Sequence, residues 1–421
     1  MTEKNTILEA NILATNEAAS QIGAKIKILS YLSWPNDMAK EFLKKKDKSR
    51  KNPIIEPLRK SFTEEIASLN KLKLNVTGDS PLEEFTRRSI DSLILGARLL
   101  ENAGTKTFQD ISIEIYGQPS DISLGSVASN LELARNLIEK IEKFVHPHIA
   151  RAEECVPAQM IRKYIEDKIR MIFGADAPDV VLVKHLSAKS TASANVIKIR
   201  EDKGFTIYDY DQLLHHEALI HSLTAINGLK QPILKLLGKG TPRTTKTQEG
   251  LATFAELITG SIDLSRLKRF ALRIIAIEKA INGADFMEVF RYFQRENQSD
   301  QESFSGASRI FRGGNPKGGA SFTKDCVYLD GLFSVYGLFE WAIKTDNTGY
   351  LHVLMSGRVA IEDLALLYPS YQKGIIVEPR YLPPWYELIE GLAGVFVFNL
   401  LSQNIRDTNH GFFESYFLKS S

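Results

Sequence analysis

Apolar residues recur at three- and four-residue spacing along much of the chain, which is the period of an α-helix with one buried face. The clearest stripe follows Ser80, because Ser80 and Glu83 have the spacing of a capping box and Pro81 occupies the first helical position. The apolar positions of this predicted helix are Leu82, Phe85, Leu93, Ala97 and Leu100, and Gly104 ends it. The first third of the chain is therefore predicted to be helical.

A second pattern, the alternation of apolar and polar residues, predicts β-strands in the middle of the chain. Residues 180–183 form a short apolar run, and residues 195–200 and 205–208 alternate on either side of a turn. With helical patterns before and after them, these segments predict a predominantly helical α+β fold with a small antiparallel sheet. The composition changes after residue 156, which suggests a domain boundary there.

Composition and charge narrow the class of protein. The 53 basic and 51 acidic residues nearly balance, so neither nucleic acid nor an anionic membrane is an expected partner. No signal-peptide pattern opens the chain, and residues 391–401 are too short an apolar run to span a bilayer, so a cytoplasmic location is expected. The two cysteines, Cys155 and Cys326, suggest neither a disulfide framework nor a cysteine zinc site.

Candidate chemistry concentrates around His216 and His221, which bracket Glu217, and around Glu249 in the sequence Gln-Glu-Gly-Leu-Ala. A catalytic zinc ion takes three protein ligands of these types and keeps one position for a water molecule, whose acidity it raises. His216, His221 and Glu249 can supply the ligands of one Zn²⁺ per chain, and Glu217 is then the natural general base. Without Glu249, a solvated or core histidine pair would explain the sequence equally well.

The two histidines are one residue further apart than in the familiar HExxH pattern. On a regular helix, side chains five residues apart point about 140° away from each other. A π-turn takes up one extra residue and would bring them together, and such turns are frequent at functional sites. We therefore predict a widened helical turn between His216 and His221.

These motifs, together with several others in the same order, resemble the family of QEGLA-motif proteins, which includes the microtubule-associated tyrosine carboxypeptidases. The resemblance runs from about residue 22 to about residue 401. Besides HExxxH and QEGLA, it includes residues 52–53, 116–120, 309–314, 322–325, 328–331 and 379–385. It implies a zincin-like catalytic domain, which we place at residues 157–421, after an N-terminal helical region at residues 1–156.

The resemblance also implies that the zinc ligands are His216, His221 and Glu249 and that the catalytic glutamate is Glu217, in agreement with the chemical argument. Relatives usually carry glycine where this chain has Leu219. If the leucine points into the cleft, it should alter the pocket for the substrate's terminal side chain; if it points into the core, it only contributes packing.

Further candidates concern the substrate and the arrangement of the ligands. A carboxypeptidase must hold a free carboxylate and stabilise an oxyanion, for which Arg, Lys and Tyr are suited. Arg312 and Lys324 are our candidates for the carboxylate, and Tyr328 is a catalytic candidate. Glu256, seven residues after Glu249, could orient a metal ligand, or it could form a surface salt bridge.

The strand before the metal-binding helix is a candidate for peptide recognition. In zinc peptidases of this plan, such a strand commonly offers its edge to the substrate backbone. Residues 193–200 are the predicted edge, with Lys198 and Arg200 as substrate-binding residues. The alternative is an amphipathic strand that leaves both side chains in solvent.

Together, these features predict a zinc carboxypeptidase whose substrate is a peptide or protein C-terminus; the resemblance implies an aromatic, tyrosine-like terminal residue. The alternative is a non-catalytic regulatory or binding protein that retains the metal site for structure. Glu217 favours the enzyme, because a purely structural site needs no general base.

Overall fold

A computed structural model of the chain describes residues 3–35, 37–46, 49–144, 155–184, 186 and 188–403. Helices dominate, as the apolar pattern predicts. The predicted capping box is confirmed, because the Ser80 hydroxyl accepts from the Glu83 backbone N–H and the Glu83 carboxylate accepts from the Ser80 N–H. The N-terminal helices are α1 (Glu3–Gly23), α2 (Ile28–Leu32), α3 (Met38–Lys44), α4 (Thr63–Leu74), α5 (Pro81–Glu101), α6 (Lys106–Tyr116) and α7 (Asn130–Phe144).

A three-stranded sheet follows α8 (Ala158–Phe173), in the order β1-β3-β2. The central strand is β3 (Val196–Arg200), which pairs in parallel with β1 (Asp179–Val183) and antiparallel with β2 (Ser190–Ala192). The sheet is therefore mixed rather than purely antiparallel as predicted. Its buried side chains, Ile197 among them, pack with α8 in one apolar cluster.

The second half of the chain is helical again, and its helices share the largest apolar cluster with α5. Residues 145–154, next to the boundary predicted at residue 156, lie outside the described residues, and that boundary stays a prediction. The helices are α9 (Asp209–Leu213), the π-helix Leu214–Ser222, α10 (Leu223–Lys230), α11 (Leu236–Lys239), α12 (Thr245–Ile258), α13 (Leu264–Ile281), α14 (Phe286–Arg295), α15 (Asp300–Phe311), α16 (Val327–Lys344), α17 (Gly349–Met355), α18 (Leu364–Gln372), α19 (Pro384–Glu387) and α20 (Ile389–Gln403).

Two predictions about the strands are wrong. Residues 193–200 were expected to offer a free edge, but β3 has a neighbouring strand on each side. The edge that contacts the π-helix belongs to β2, which the alternation pattern did not predict because it has only three residues. The strand predicted at residues 205–208 is reduced to an isolated bridge between Phe205 and Val156, since α9 begins directly after it.

Two glycines allow α12 and α16 to approach each other closely. A Cβ atom at Gly250 would lie 2.2 Å from the carbonyl carbon of Gly331, and one at Gly331 would lie 2.3 Å from the Lys246 carbonyl oxygen. Such distances leave no room for a side chain. The glycine of the Gln-Glu-Gly-Leu-Ala sequence is thus required by helix packing next to Glu249.

We expect Gly250→Ala to lower the free energy of unfolding by about 1–3 kcal/mol or more, because the added methyl group overpacks the contact between α12 and α16. Gly337→Ala is the matched control, since a Cβ atom at Gly337 on α16 would meet no described atom within 4 Å. The control should be neutral or stabilising by up to about 1 kcal/mol through helix propensity. Urea unfolding measures both variants, and equal stability would contradict the close approach.

One stretch of the described residues, Lys324–Lys344, is long and apolar enough to cross a membrane by length and composition. Its most apolar window is 56% buried inside the protein. Val335 and Phe339 on this stretch belong to the largest apolar cluster. Its packing is that of a core helix in a globular protein.

Candidate metal centre

The widened turn predicted between His216 and His221 is confirmed, because Leu214–Ser222 is a π-helix. It lies between α9 and α10 in the chain. The centroids of the two imidazole rings are 4.8 Å apart, and their planes meet at 90°. A regular α-helix would have directed these side chains away from each other, so the local backbone creates the histidine pair.

Glu249 joins the two histidines from α12. Its Oε2 lies 3.5 Å from His216 Nε2 and 3.9 Å from His221 Nε2. One possible ligand atom from each residue lies within 4.8 Å of the others, so the three could hold a metal ion. The structure thus brings together the three ligands predicted from the sequence, and two histidines with one glutamate are a typical ligand set for catalytic zinc.

Glu256 orients the first histidine. It is fully buried, and its Oε1 accepts a hydrogen bond from His216 Nδ1 at 2.6 Å. This contact fixes the imidazole tautomer that leaves Nε2 available for a metal ion. Arg266 on α13 contacts Glu256 in turn, with nitrogen–oxygen distances of 2.6 and 2.7 Å. Glu256 therefore lies behind the cluster rather than on the surface.

The charges around the cluster favour a bound cation. Burial opposes a charge on His216, but Glu249 and Glu256 outweigh it and raise its pKa to about 10. Burial and the charge on His216 lower the pKa of His221 to about 3, which leaves its imidazole free to bind metal. Burial would raise the pKa of Glu249, but Lys324 and the histidines hold it well below its usual range. A metal ion could replace the proton on His216 that these carboxylates stabilise.

Glu217 lies beside the cluster on the π-helix and is 7% exposed. Its Oε1 accepts a hydrogen bond from the hydroxyl of Ser190 on the edge strand β2 at 2.6 Å. Burial raises the pKa of this carboxyl, although His216 and Ser190 act in the opposite direction. Strand β2 thus holds Glu217 in a fixed orientation next to the predicted ligands, as a general base requires.

Lys324 and Tyr328 also lie at the cluster. Lys324 Nζ donates to Glu249 Oε1 at 2.8 Å, whereas the other oxygen of that carboxylate faces the histidines. The Tyr328 hydroxyl accepts from Arg309 at 3.3 Å and from Lys324 at 3.5 Å. Because two cations donate to its oxygen, the hydroxyl hydrogen remains available for another acceptor.

Arg312 is a buried cation without a carboxylate partner among the described residues. It is 6% exposed, and its Nε and one terminal nitrogen have no hydrogen-bond partner there. Burial and the charge on Arg309 lower the pKa of Arg312 to about 10. The Arg312 guanidinium lies 5.4 Å from the centroid of the Phe322 ring, and Phe322 is two residues before Lys324 in the chain. An unpaired buried guanidinium is costly, and an anionic ligand would compensate it.

Lys198 and Arg200 on β3, which the sequence suggested as substrate-binding residues, do not lie at the cluster. Side chains alternate along a strand, and Lys198 and Arg200 share the face opposite to the buried Ile197 and Ile199. Lys198 is exposed, and Arg200 forms a salt bridge with Asp202 at 2.5 Å. The structure therefore corrects the sequence-based assignment of both residues to substrate binding.

Leu219 was a candidate for the substrate pocket with core packing as the alternative, and the structure corrects the candidate assignment in favour of the core. It is 1% exposed and belongs to the apolar cluster formed by α8, the sheet and the π-helix. The π-helix directs this side chain into the core instead of the cleft. Leu219 therefore contributes to the packing of the core.

Three residues at the site were missed from the sequence: Ser190, Arg266 and Arg358. Arg358 donates to the backbone carbonyl of His221 at 3.2 Å and to that of Lys239 at 3.3 Å, and so supports the end of the π-helix. The contact between Arg358 and His221 joins residues 137 positions apart. No local sequence pattern signals such a contact, because its partners meet only in the folded chain.

Three potential ligands beside a buried carboxylate, on a helical α+β fold, define a candidate metal-dependent hydrolase centre. The family model described as microtubule-associated tyrosine carboxypeptidase matches residues 40–404. The chain belongs to this family, and carboxypeptidases are peptide hydrolases. No curated protein matches the chain.

Proposed function

We propose that the protein is a zinc-dependent carboxypeptidase that removes one residue from the C-terminus of a peptide or protein. The observation that carries this proposal is the cluster of His216, His221 and Glu249 next to the buried Glu217. Membership of a carboxypeptidase family supports the reaction class. The unpaired Arg312 supports an action at a chain end, where the substrate supplies a carboxylate.

In this proposal His216, His221 and Glu249 hold the zinc ion. When bound, zinc polarises the scissile carbonyl and makes water a better nucleophile near neutral pH. Glu217 accepts the proton of the attacking water and delivers it to the leaving amine. The hydrogen bond from Ser190 keeps the Glu217 carboxylate in position for both transfers.

Tyr328 and Arg312 have separate tasks in this mechanism. The Tyr328 hydroxyl, held by Arg309 and Lys324, donates its hydrogen to the oxygen on which negative charge develops. Arg312 binds the C-terminal carboxylate through charge-assisted hydrogen bonds. The free edge of β2 is the surface on which the substrate backbone would add a strand.

We propose an aromatic, tyrosine-like residue as the one that is released. The support is the description of the family as tyrosine carboxypeptidases. Peptides that differ only in a terminal Tyr, Phe, Leu or Ala, incubated with zinc-loaded protein, test both parts of the proposal. We expect release of single terminal residues, fastest for tyrosine. Cleavage inside the peptides would contradict the carboxypeptidase, and no cleavage by protein with full zinc would favour the non-catalytic alternative.

Replacing Arg312 should weaken the recognition of the substrate carboxylate. We expect Arg312→Gln to lower kcat/KM for peptides with a free C-terminus by about tenfold to a hundredfold, since a charge-assisted hydrogen bond contributes about 1.5–3 kcal/mol. Hydrolysis of the same peptide with a C-terminal amide should hardly change. Arg200→Gln is the control, because Arg200 pairs with Asp202 away from the cluster. An equal loss of kcat/KM on both substrates would show that Arg312 does not recognise the C-terminal carboxylate.

A further inference from the structure

Helix α20 (Ile389–Gln403) is apolar around most of its circumference. On one face Leu392 and Phe396 are buried, and the Phe396 ring lies 5.0 Å from that of Tyr336 on α16. On the other face Phe398 is 63% exposed and Leu401 is 54% exposed. Large apolar side chains that share an exposed face of a helix are typical of an interaction surface.

Two glycines lie on the same exposed face of α20. A Cβ atom at Gly391 or Gly394 would meet no described atom within 4 Å, and neither glycine has a positive φ angle. Packing against the described residues and the backbone conformation therefore do not require glycine at either position. In the interior of an exposed helix, as at Gly394, glycine costs about 1 kcal/mol relative to alanine. Close approach of a second backbone would explain why both are there.

The exposed face has the spacing of a helix–helix seam. Gly391, Gly394, Phe398 and Leu401 are separated by three, four and three residues, as positions along a coiled-coil seam are. At about 100° per residue, they lie on the side of α20 directly opposite to Phe396. We call these four residues the α20 seam.

The α20 seam is complementary to itself. In an antiparallel pair of α20 helices related by a two-fold axis, the register that places Gly394 opposite Phe398 of the second copy also places Gly391 opposite Leu401. Each large side chain then meets a glycine, in both halves of the pair. Such an isologous arrangement is the usual form of a protein dimer.

Charge and size agree with this arrangement. Glu390 is the single charged residue of α20, and an antiparallel pair keeps the two copies of it at opposite ends. A helix without Lys or Arg is a poor match for an anionic membrane surface. Val395 and Val397, which are 49% and 65% exposed, flank the seam on either side and would enlarge the area that a pair of helices buries toward the roughly 1,000 Å² expected of a specific interface.

We propose that α20 is a dimerisation helix, which packs antiparallel against α20 of a second copy of this chain through the α20 seam. The proposal does not depend on the proposed enzymatic function. It assigns an occupant to an apolar helix face that is exposed among the described residues.

Sedimentation velocity of the full-length protein at several concentrations tests the dimer. We expect the wild type to dimerise and Phe398→Asp to raise the dissociation constant by about tenfold or more. Gly394→Leu should have the same effect, although it makes the face more apolar and favours the helix, because the leucine blocks close approach. Leu388→Asp is the control, since Leu388 is an exposed leucine next to α20 but outside the seam. Circular dichroism verifies that each variant is folded.

Disulfide trapping tests the antiparallel register, with the exposed Cys155 replaced by serine. A mixture of Gly394→Cys and Phe398→Cys chains should form the mixed disulfide far more readily than either chain alone links to itself. Linkage of like with like would overturn the antiparallel arrangement. A monomeric wild type would overturn the dimer. Binding of the monomer to neutral lipid vesicles, or dimerisation only after residues 404–421 are removed, would also count against the proposal. A dimer that resists both seam substitutions would also overturn the proposal.

Discussion

Glu217→Gln should lower peptide hydrolysis by about a hundredfold or more while the zinc content stays unchanged. Glutamine has nearly the same size and can still accept the hydrogen bond from Ser190. It cannot take a proton from water, which is the task assigned to Glu217. Because Glu217 is not one of the three residues that can hold the metal, the ligand set remains complete.

Two measurements on the same preparation make this test specific. Metal analysis shows whether the variant still carries about one zinc per chain, and release of the terminal residue gives the rate. A variant that hydrolyses any wild-type substrate at the wild-type rate would exclude Glu217 as the base. A wild type that holds zinc and trims no peptide would favour a regulatory protein with a structural metal site.

Replacing any one of the three predicted metal ligands should strongly lower the zinc content of the protein. We expect purified wild type to hold about one zinc per chain and His216→Ala, His221→Ala and Glu249→Ala each to lower that occupancy. Glu249→Ala should also destabilise the fold by about 3–5 kcal/mol, since it leaves the buried Lys324 without its carboxylate partner. Full occupancy in all three variants would refute the assignment of the site.

Substitutions of residues next to the predicted ligands show which neighbouring side chains contribute to zinc affinity. His215→Ala is the matched control, because His215 adjoins His216 but is not part of the cluster, and it should retain about one zinc. Glu256→Gln should weaken zinc binding by about tenfold to a hundredfold, because the hydrogen bond that orients His216 becomes weaker. Titration with a competing chelator gives the affinities, and unchanged affinity in Glu256→Gln would contradict its orienting role.

Two features that sequence analysis predicted correctly, one in the site and one in the N-terminal region, depend on short-range geometry. The five-residue separation of His216 and His221 required a widened turn, and the structure contains a π-helix there. The capping box at Ser80 is formed by residues three positions apart. In both cases the interacting groups belong to one helical turn, so spacing and residue type were sufficient.

The chain's sequence by itself therefore determined the residue types of the centre, the widened turn between its histidines and the predominantly helical α+β class. Only the tertiary structure decided which strand is the edge, that Leu219 packs in the core, and that Lys324 pairs with Glu249 while Arg312 keeps no carboxylate partner among the described residues. Three features depend on how distant segments of the chain pack: the order of the strands, the direction of a side chain on a π-helix, and the pairing of two charges 75 positions apart. Local periodicity carries no information about such contacts, since they form only when the whole core is assembled.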